Sequence, residues 1–204
     1  MSPTRVLGFA SFFLASALLA QAPKPNPAAP ARPRAGSVSA TNATVDSVIA
    51  ALYESVSHGN DAEPNWNLMR EVFLYTGQLI PPKRPQEDRF TTLDVDGFQE
   101  RVRKGSAAAK AKGDPTSFFE KEVARQTDCF GNVCQVFSTY EAKRAPSDDK
   151  PFVRGINSIQ LVNDGRRWWV ASVVWDTEKA DRPIPPQYLS NAPAAIPQEY
   201  LKKN

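Results

Sequence analysis

Two cysteines flank a glycine–asparagine pair that predicts a tight hairpin. If Gly131 and Asn132 form a two-residue turn, Cys129 lies directly opposite Cys134 on the same face of the hairpin. That position is a non-hydrogen-bonded pair, whose short separation allows a cross-strand disulfide. We therefore expect Cys129 and Cys134 to be bonded in an oxidising compartment, the alternative being two free thiols. The closed loop is so short that the bridge would fix the hairpin rather than greatly stabilise the fold.

Few side chains have the chemistry of acid–base catalysis. The single histidine, His58, falls at a predicted helix end before Gly59, where contact with the terminal carbonyl groups is favoured over catalysis. Tyr53 lies on the predicted buried face of the same helix, where its hydroxyl either polarises a substrate carbonyl in a cavity or is satisfied in the core. The candidate pocket residues, with core packing as the alternative, are Tyr53, Trp66, Tyr140, Asn157, Trp169 and Trp175.

Metal binding has little support in the sequence. Asp94 and Asp96 before Gly97 are similar to the start of a calcium loop, but the later ligands of an EF-hand are missing and a helix N-terminus explains both aspartates. One histidine and two cysteines, without a second pair at zinc-ligand spacing, do not indicate a zinc site. We therefore expect no metal ion and no cofactor.

The N-terminus has the pattern of a secretory signal peptide. Arg5 is followed by an uncharged, largely apolar run over residues 6–20, which is too short to span a bilayer stably. Residues 1–20 are the predicted signal peptide, and the small residues Ala20 and Ala22 leave cleavage after either one open. An uncleaved anchor is the alternative. We expect an exported protein, periplasmic or secreted, with no membrane span after cleavage.

Two segments flank the predicted domain. Residues 21–43 are rich in Pro and Ala and too poor in large apolar side chains to offset the entropy of ordering, which predicts a flexible tether. Residues 182–204 are predicted to be an irregular, proline-rich tail. Four basic residues precede the first acidic one, so the formal net charge of +3 falls to −1 for the rest of the chain. This balance argues against nucleic-acid binding.

Residues 44–181 have the length of one ordinary domain, with helices in the first part. Apolar residues at intervals of three and four indicate helices that bury one face. The predicted elements are a helix after Thr44 that ends at 57–60, a helix starting within 61–64, short strands at 74–80 and 90–93, a helix from Asp94 to Lys104, and a linker at 106–115.

The rest of the domain alternates strand-like segments with turn signals. Gly131–Asn132 and residues 163–165 mark two hairpins. In the last strand, alternate residues from Trp169 to Trp175 share one predicted face, and both faces are apolar, so this strand is expected to be central and covered on each side. Helices followed by antiparallel strands predict an α+β domain with the N-terminal helices on one face of a curved sheet.

This order of elements resembles a known superfamily. With the segments RGINSIQL at 154–161 and WWVASVVW at 168–175, the chain is similar to nuclear-transport-factor-2-like (NTF2-like) proteins, and most similar to the small bacterial SnoaL-like and DUF4440-like members. The segment GNV at 131–133, followed by VFSTYE at 136–141, adds to the likeness, which covers residues 44–179. The resemblance implies a cone-shaped antiparallel sheet closed on one side by helices around an apolar cavity. Members use that cavity for catalysis, ligand binding or dimerisation.

Three functions are compatible with this fold. The first is an exported domain, expected to be a homodimer, that binds a small apolar ligand or a protein partner in or around the cavity. The second is a small isomerase, dehydratase or hydrolase with Tyr53 as donor and an unidentified carboxylate as base. The third is a structural dimerisation module. An open cavity lined by an unpaired carboxylate and Tyr53 would favour the enzyme, whereas a cavity filled by Trp and Phe side chains would leave the interaction module.

Overall fold

A computed structural model describes residues 40–189 of the chain. The predicted signal peptide, most of the predicted tether and the end of the predicted tail lie outside this part. The elements are a 3-10 helix Ala40–Asn42, α1 Val45–Val56, α2 Trp66–Val72, β1 Phe73–Ile80, α3 Val95–Ala111, β2 Phe119–Phe130, β3 Val133–Lys143, β4 Val153–Asn163, β5 Trp168–Thr177 and a 3-10 helix Pro186–Tyr188. Within residues 40–189, no helix has the length and apolar composition needed to cross a membrane.

The first helix begins where the sequence predicts. Thr44 accepts a hydrogen bond from the Ser47 backbone at 3.0 Å, and the Ser47 hydroxyl accepts one from the Thr44 backbone at 3.0 Å. This reciprocal capping box satisfies two of the backbone N–H groups that a helix start leaves free. The face that carries Val48, Ile49 and Leu52 is then buried against the sheet.

The second and third helices differ from the prediction at their ends. Asn65 caps α2 by accepting a hydrogen bond from Leu68 N at 3.1 Å, so Pro64 precedes the helix instead of lying in its first turn. The helix α3 continues through Gly105 to Ala111, which makes the first part of the predicted linker helical. Alanine is the strongest helix former, and a run of three alanines outweighs the cost of one glycine.

The five strands form one open sheet in the order β1-β5-β4-β3-β2. Strands β2 to β5 pair antiparallel, and β1 pairs parallel to β5, which makes the sheet mixed. The predicted strand at 90–93 contributes one bridge only, between Leu93 and Leu79. The helices pack on one face of the curved sheet, so the predicted α+β arrangement is confirmed.

A bulge in β2 sets which side chains face the helices. Glu122 pairs with Tyr140 and Ala124 with Thr139, so Val123 is an extra residue without a partner on β3. Such an insertion breaks the alternation of a strand. As a result Glu122 and Arg125, three residues apart, both face inward.

β5 also contains a bulge, and it places one tryptophan on the face opposite to the predicted one. Ala171 is the extra residue between the pairs Leu161–Val170 and Gln160–Ser172. Val170 and Trp175 therefore both face the helices, whereas Trp169 lies on the outer face. There its indole N–H donates to Asp164 at 2.9 Å.

The cysteine hairpin has the predicted register. Cys129 pairs with Cys134, their Cα atoms are 4.1 Å apart, and their sulfur atoms are 2.02 Å apart in a disulfide. Gly131 has a φ of +55° and Asn132 does not have a positive φ, which is the pattern of a type II′ turn.

Candidate active site

A cavity of about 370 Å³ lies between the helices and the inner face of the sheet. Its volume is within the range of small-molecule sites. Most of the wall is apolar, with Leu52, Val56, Phe98, Val102, Phe118 and Val173 among its residues. The polar side chains on the wall include Tyr53, His58, Glu120, Tyr140, Arg144 and Asn157.

Glu120 places a carboxyl group on this apolar wall. It is half-buried on the inner face of β2, and its Oε1 accepts a hydrogen bond from Asn157 Nδ2 at 3.2 Å. None of the salt bridges within residues 40–189 involves Glu120. Burial raises the pKa of Glu120 to about 7, and the hydrogen bond from Asn157 opposes that rise. Such a group exchanges its proton near neutral pH.

Tyr53 and Ser138 form a hydrogen-bonded chain behind Glu120. Tyr53 Oη accepts from Asn157 Nδ2 at 3.1 Å and lies 2.6 Å from Ser138 Oγ. Because Ser138 Oγ donates its proton to Glu122 Oε1 at 2.5 Å, Tyr53 is the donor toward Ser138. Burial first, then the charge of Glu120, raises the pKa of Tyr53 above its ordinary value, so its hydroxyl stays protonated. The Tyr53 proton is therefore engaged by Ser138 and is not free for a ligand.

Glu122 ends this chain as a paired carboxylate. Arg125 donates to it through Nε at 2.8 Å and Nη2 at 2.6 Å, and Arg125 Nη1 reaches Asp46 of α1 at 2.5 Å. The Arg125 side chain is 5% exposed. Burial lowers the pKa of Arg125, but the hydrogen bonds and charges of Glu122 and Asp46 outweigh it and raise the pKa. Of the two inward glutamates, Glu122 is thus neutralised by a cation and Glu120 is not.

Tyr140 contributes a hydroxyl group without a protein partner. It lies on the cavity wall, and within the described part of the chain no side chain or backbone group hydrogen-bonds to its Oη. Gly155 lies opposite Tyr140 on β4, and a Cβ there would overlap the Tyr140 ring. Burial, followed by the charges of Glu120 and Asp176, raises the pKa of Tyr140, so the group is an O–H donor.

Comparisons with known proteins find likenesses among solved structures. No family model matches the chain, and no curated protein matches it. An NTF2-like protein of unknown function from Shewanella baltica has 15% identity and a TM-score of 0.42, with 67% of this chain and 98% of that chain covered. A protein provisionally named as a ketosteroid isomerase from Parabacteroides distasonis has 10% identity and a TM-score of 0.44, with 71% of this chain and 96% of that chain covered. The chain is similar to NTF2-like proteins.

The cavity contains four of the six candidate pocket residues. Tyr53, Tyr140, Asn157 and Trp175 lie on its wall. Trp66 lies behind it, with its ring centroid 6.2 Å from that of Phe98, which does line the cavity. The β5 bulge places Trp169 on the outer face of the sheet, so this candidate does not line the cavity.

His58 also lies on the cavity wall, and its contact differs from the predicted one. Its Nδ1 lies 3.0 Å from the carbonyl oxygen of Gly59, a residue beyond the end of the helix. Its backbone forms a bridge with Phe118, which connects the end of α1 to the sheet.

Sequence reasoning missed the two glutamates that face inward from β2. Glu120 and Glu122 alternate with Phe119 and Lys121 along the chain. In a regular strand, one face would therefore carry the two glutamates and the other Phe119 and Lys121. An acidic pair at alternate positions of a strand beside a predicted cavity was the available signal, and it was obscured because charged residues on an edge strand usually face solvent.

Proposed function

We propose that the protein is a small enzyme that transfers a proton at a carbon atom of a largely apolar substrate held in the cavity, with Glu120 as the general base. The observation that carries this proposal is the position of Glu120. Its carboxylate lies on an apolar wall, accepts a hydrogen bond from Asn157 and has no cationic partner within residues 40–189. A carboxylate that is poorly solvated and unpaired is a stronger base than one in water.

The contrast with Glu122 supports this assignment. Two carboxylates lie on the same face of β2, and Arg125 pairs with one of them. Two neighbouring carboxylates in different environments, one paired with a cation and one unpaired, are typical of acid–base sites. Glu122 is suited to holding the hydrogen-bonded chain in place, whereas Glu120 is suited to accepting a proton.

Tyr140 is suited to stabilise the charge that such a step creates. When a base removes a proton next to a carbonyl group, negative charge develops on the carbonyl oxygen, and an O–H donor stabilises it. The Tyr140 hydroxyl has no partner in the described residues and lies on the same cavity wall as Glu120. The reaction class is therefore proton abstraction with return of the proton elsewhere, as in an isomerase, or with loss of a leaving group, as in a dehydratase.

The expected location of this enzyme is outside the cytoplasm. The predicted signal peptide supports export, and so does the Cys129–Cys134 disulfide, because such bonds persist in oxidising compartments. Fractionation of cells that express the chain, with the mass of the exported form measured, tests this part of the proposal. A full-length protein found only in the cytoplasm would contradict it.

Elimination of 5-nitrobenzisoxazole tests the base. A carboxylate takes the proton on C3, the N–O bond breaks, and a coloured cyanophenolate leaves, so the reaction needs no further reagent. We expect the purified protein to accelerate the reaction, with a rate that rises with pH through about 7. Glu120→Gln should lower the rate at least about ten-fold.

Glu141→Gln is the matched control. Glu141 lies on β3 and pairs with Lys121 at 3.0 Å, away from the cavity wall. This variant should keep the rate of the wild type. Equal rates for the wild type and Glu120→Gln would rule out Glu120 as a base and leave ligand binding as the function of the cavity.

A further inference from the structure

Arg144 is the one basic side chain among the described residues that line the cavity, apart from His58. It comes directly after β3, two residues beyond Ala142, and lines the cavity. Its position is fixed from two sides. Nη1 donates to the carbonyl oxygen of Ser117 at 2.8 Å, and the guanidinium carbon lies 3.9 Å from the centre of the Phe152 ring.

The guanidinium of Arg144 has no acidic partner. The nearby carboxylate of Asp148 accepts hydrogen bonds from the backbone N–H groups of Arg144 and Ala145, at 3.1 and 2.9 Å. No salt bridge found within residues 40–189 involves Arg144. One of the five N–H groups of a guanidinium is engaged by Ser117, and the other donors are available.

The distance along the strand relates Arg144 to the base. Glu120 pairs with Ala142, and Arg144 follows Ala142 by two residues, just past the end of β3. Two residues of chain span at most about 7 Å when fully extended. Beside them, Ala142 contributes only a methyl group and Phe118 an apolar ring that lines the cavity. An elongated molecule can therefore contact Glu120 near one end and Arg144 near the other.

We propose that Arg144 binds a carboxylate group of the ligand, so that the cavity takes a small amphipathic acid whose apolar body lies toward Glu120. A guanidinium that is held in place by a carbonyl oxygen and an aromatic ring loses little entropy on binding, and it matches a carboxylate with two parallel hydrogen bonds. The choice of substrate class rests on the proposed function, whereas the anion site itself does not.

Paired probes of the same shape test this inference. Calorimetric titration at one pH compares 2-naphthoate, which has a carboxylate, with 2-naphthamide, its neutral analogue. The wild type should bind naphthoate at least about ten-fold more tightly, as expected for one charged hydrogen-bonded pair. Arg144→Gln should abolish that preference. Arg144→Lys keeps the charge but cannot form two parallel hydrogen bonds to a carboxylate, so its preference should be intermediate.

Arg166→Gln is the control for net charge. Arg166 is exposed in the turn between β4 and β5, outside the cavity wall, and its removal should leave the preference unchanged. Equal binding of the two probes by the wild type, no binding of either, or the same loss in Arg144→Gln and Arg166→Gln would each overturn the inference. Circular dichroism of each variant shows whether it is folded. If Arg144→Gln does not fold, Arg144→Lys still tests the inference.

The experiments can refute the base, Glu120, and the anion site, Arg144, independently of each other. Glu120→Gln should still prefer naphthoate, because the base does not hold the anion. Preference for naphthoate without elimination of 5-nitrobenzisoxazole would refute the base and support the anion site. Elimination without that preference would refute only the anion site.

Discussion

Asn157 donates a hydrogen bond to Glu120, with Nδ2 lying 3.2 Å from Oε1. The same nitrogen donates to Tyr53 at 3.1 Å, so both of its N–H groups are engaged. The orientation of the amide is therefore set by Tyr53, and through it by Ser138. The base is positioned by groups that lie behind the cavity wall.

Replacement of Asn157 tests this positioning. Asn157→Leu removes a hydrogen bond that favours the ionised carboxylate, so the pKa of Glu120 should rise further. The pH midpoint of 5-nitrobenzisoxazole elimination should move up by about one unit, which is the size expected for one hydrogen bond to a charged group. Gln160→Leu, at an exposed position of the same strand, should leave the midpoint unchanged. An unchanged midpoint in Asn157→Leu would contradict the role of the amide.

The pH dependence of stability provides a test without any substrate. The pKa of Glu120 is about 7 in the fold and 4.5 ordinarily, so the folded chain holds this proton more tightly than the unfolded chain. The contribution to stability is therefore full below pH 4.5 and is lost as the pH rises through 7.

Between pH 4 and pH 8 the wild type should lose up to about 3 kcal/mol relative to Glu120→Gln. Urea unfolding of both proteins at the two pH values measures this difference. A difference that does not change with pH would show that Glu120 titrates at its ordinary pKa.

Ser138→Ala tests the hydrogen-bonded chain. The change removes the hydroxyl between Tyr53 and Glu122, so the buried Tyr53 O–H loses its acceptor and Glu122 Oε1 loses one of its two donors. The free energy of unfolding should fall by about 1 to 3 kcal/mol in urea denaturation. Ser158→Ala, on the outer face of β4, should change it by less than about 0.5 kcal/mol. Similar values for the two variants would argue against the chain.

The pair of Arg125 and Glu122 should show strong coupling. Arg125→Met leaves a carboxylate unpaired in the interior and should destabilise the fold by about 3 to 5 kcal/mol. Adding Glu122→Leu should recover much of that loss, because the uncompensated charge is removed. A double-mutant cycle from denaturation curves measures the coupling, and additive effects would show that the two side chains do not interact.

The disulfide is open to a direct chemical test. Mass spectrometry under non-reducing conditions should show the chain without the two thiol hydrogens, and two free thiols in the exported protein would refute the bond. Replacement of both cysteines by alanine should cost no more than about 2 kcal/mol, because the loop between Cys129 and Cys134 is short.

Local signals predicted much of this fold. The capping residue Thr44, the Gly131–Asn132 turn and the pairing of Cys129 with Cys134 each depend on a few neighbouring residues, and each has the predicted geometry. The end of α3 was missed because Gly105 is a typical stop signal, whereas the alanines that follow it carry the helix on to Ala111.

The candidate site was less predictable because it depends on two bulges. Each inserts one residue, at Val123 and at Ala171, and an insertion of this kind has no clear mark in a pattern of alternating side chains. Counting alternate residues therefore placed Trp169 beside Trp175. It also gave no reason to place Glu122 and Arg125 on one face.

Val123, the extra residue of the β2 bulge, changes which side chains of β2 face the helices. If the alternation ran unbroken back from Arg125, the side chains of Val123, Lys121 and Phe119 would face the helices. With the extra residue, Glu122 and Glu120 face them instead. The same strand thus contains two possible linings for the cavity, one with a lysine and one with two glutamates, and a single residue selects between them.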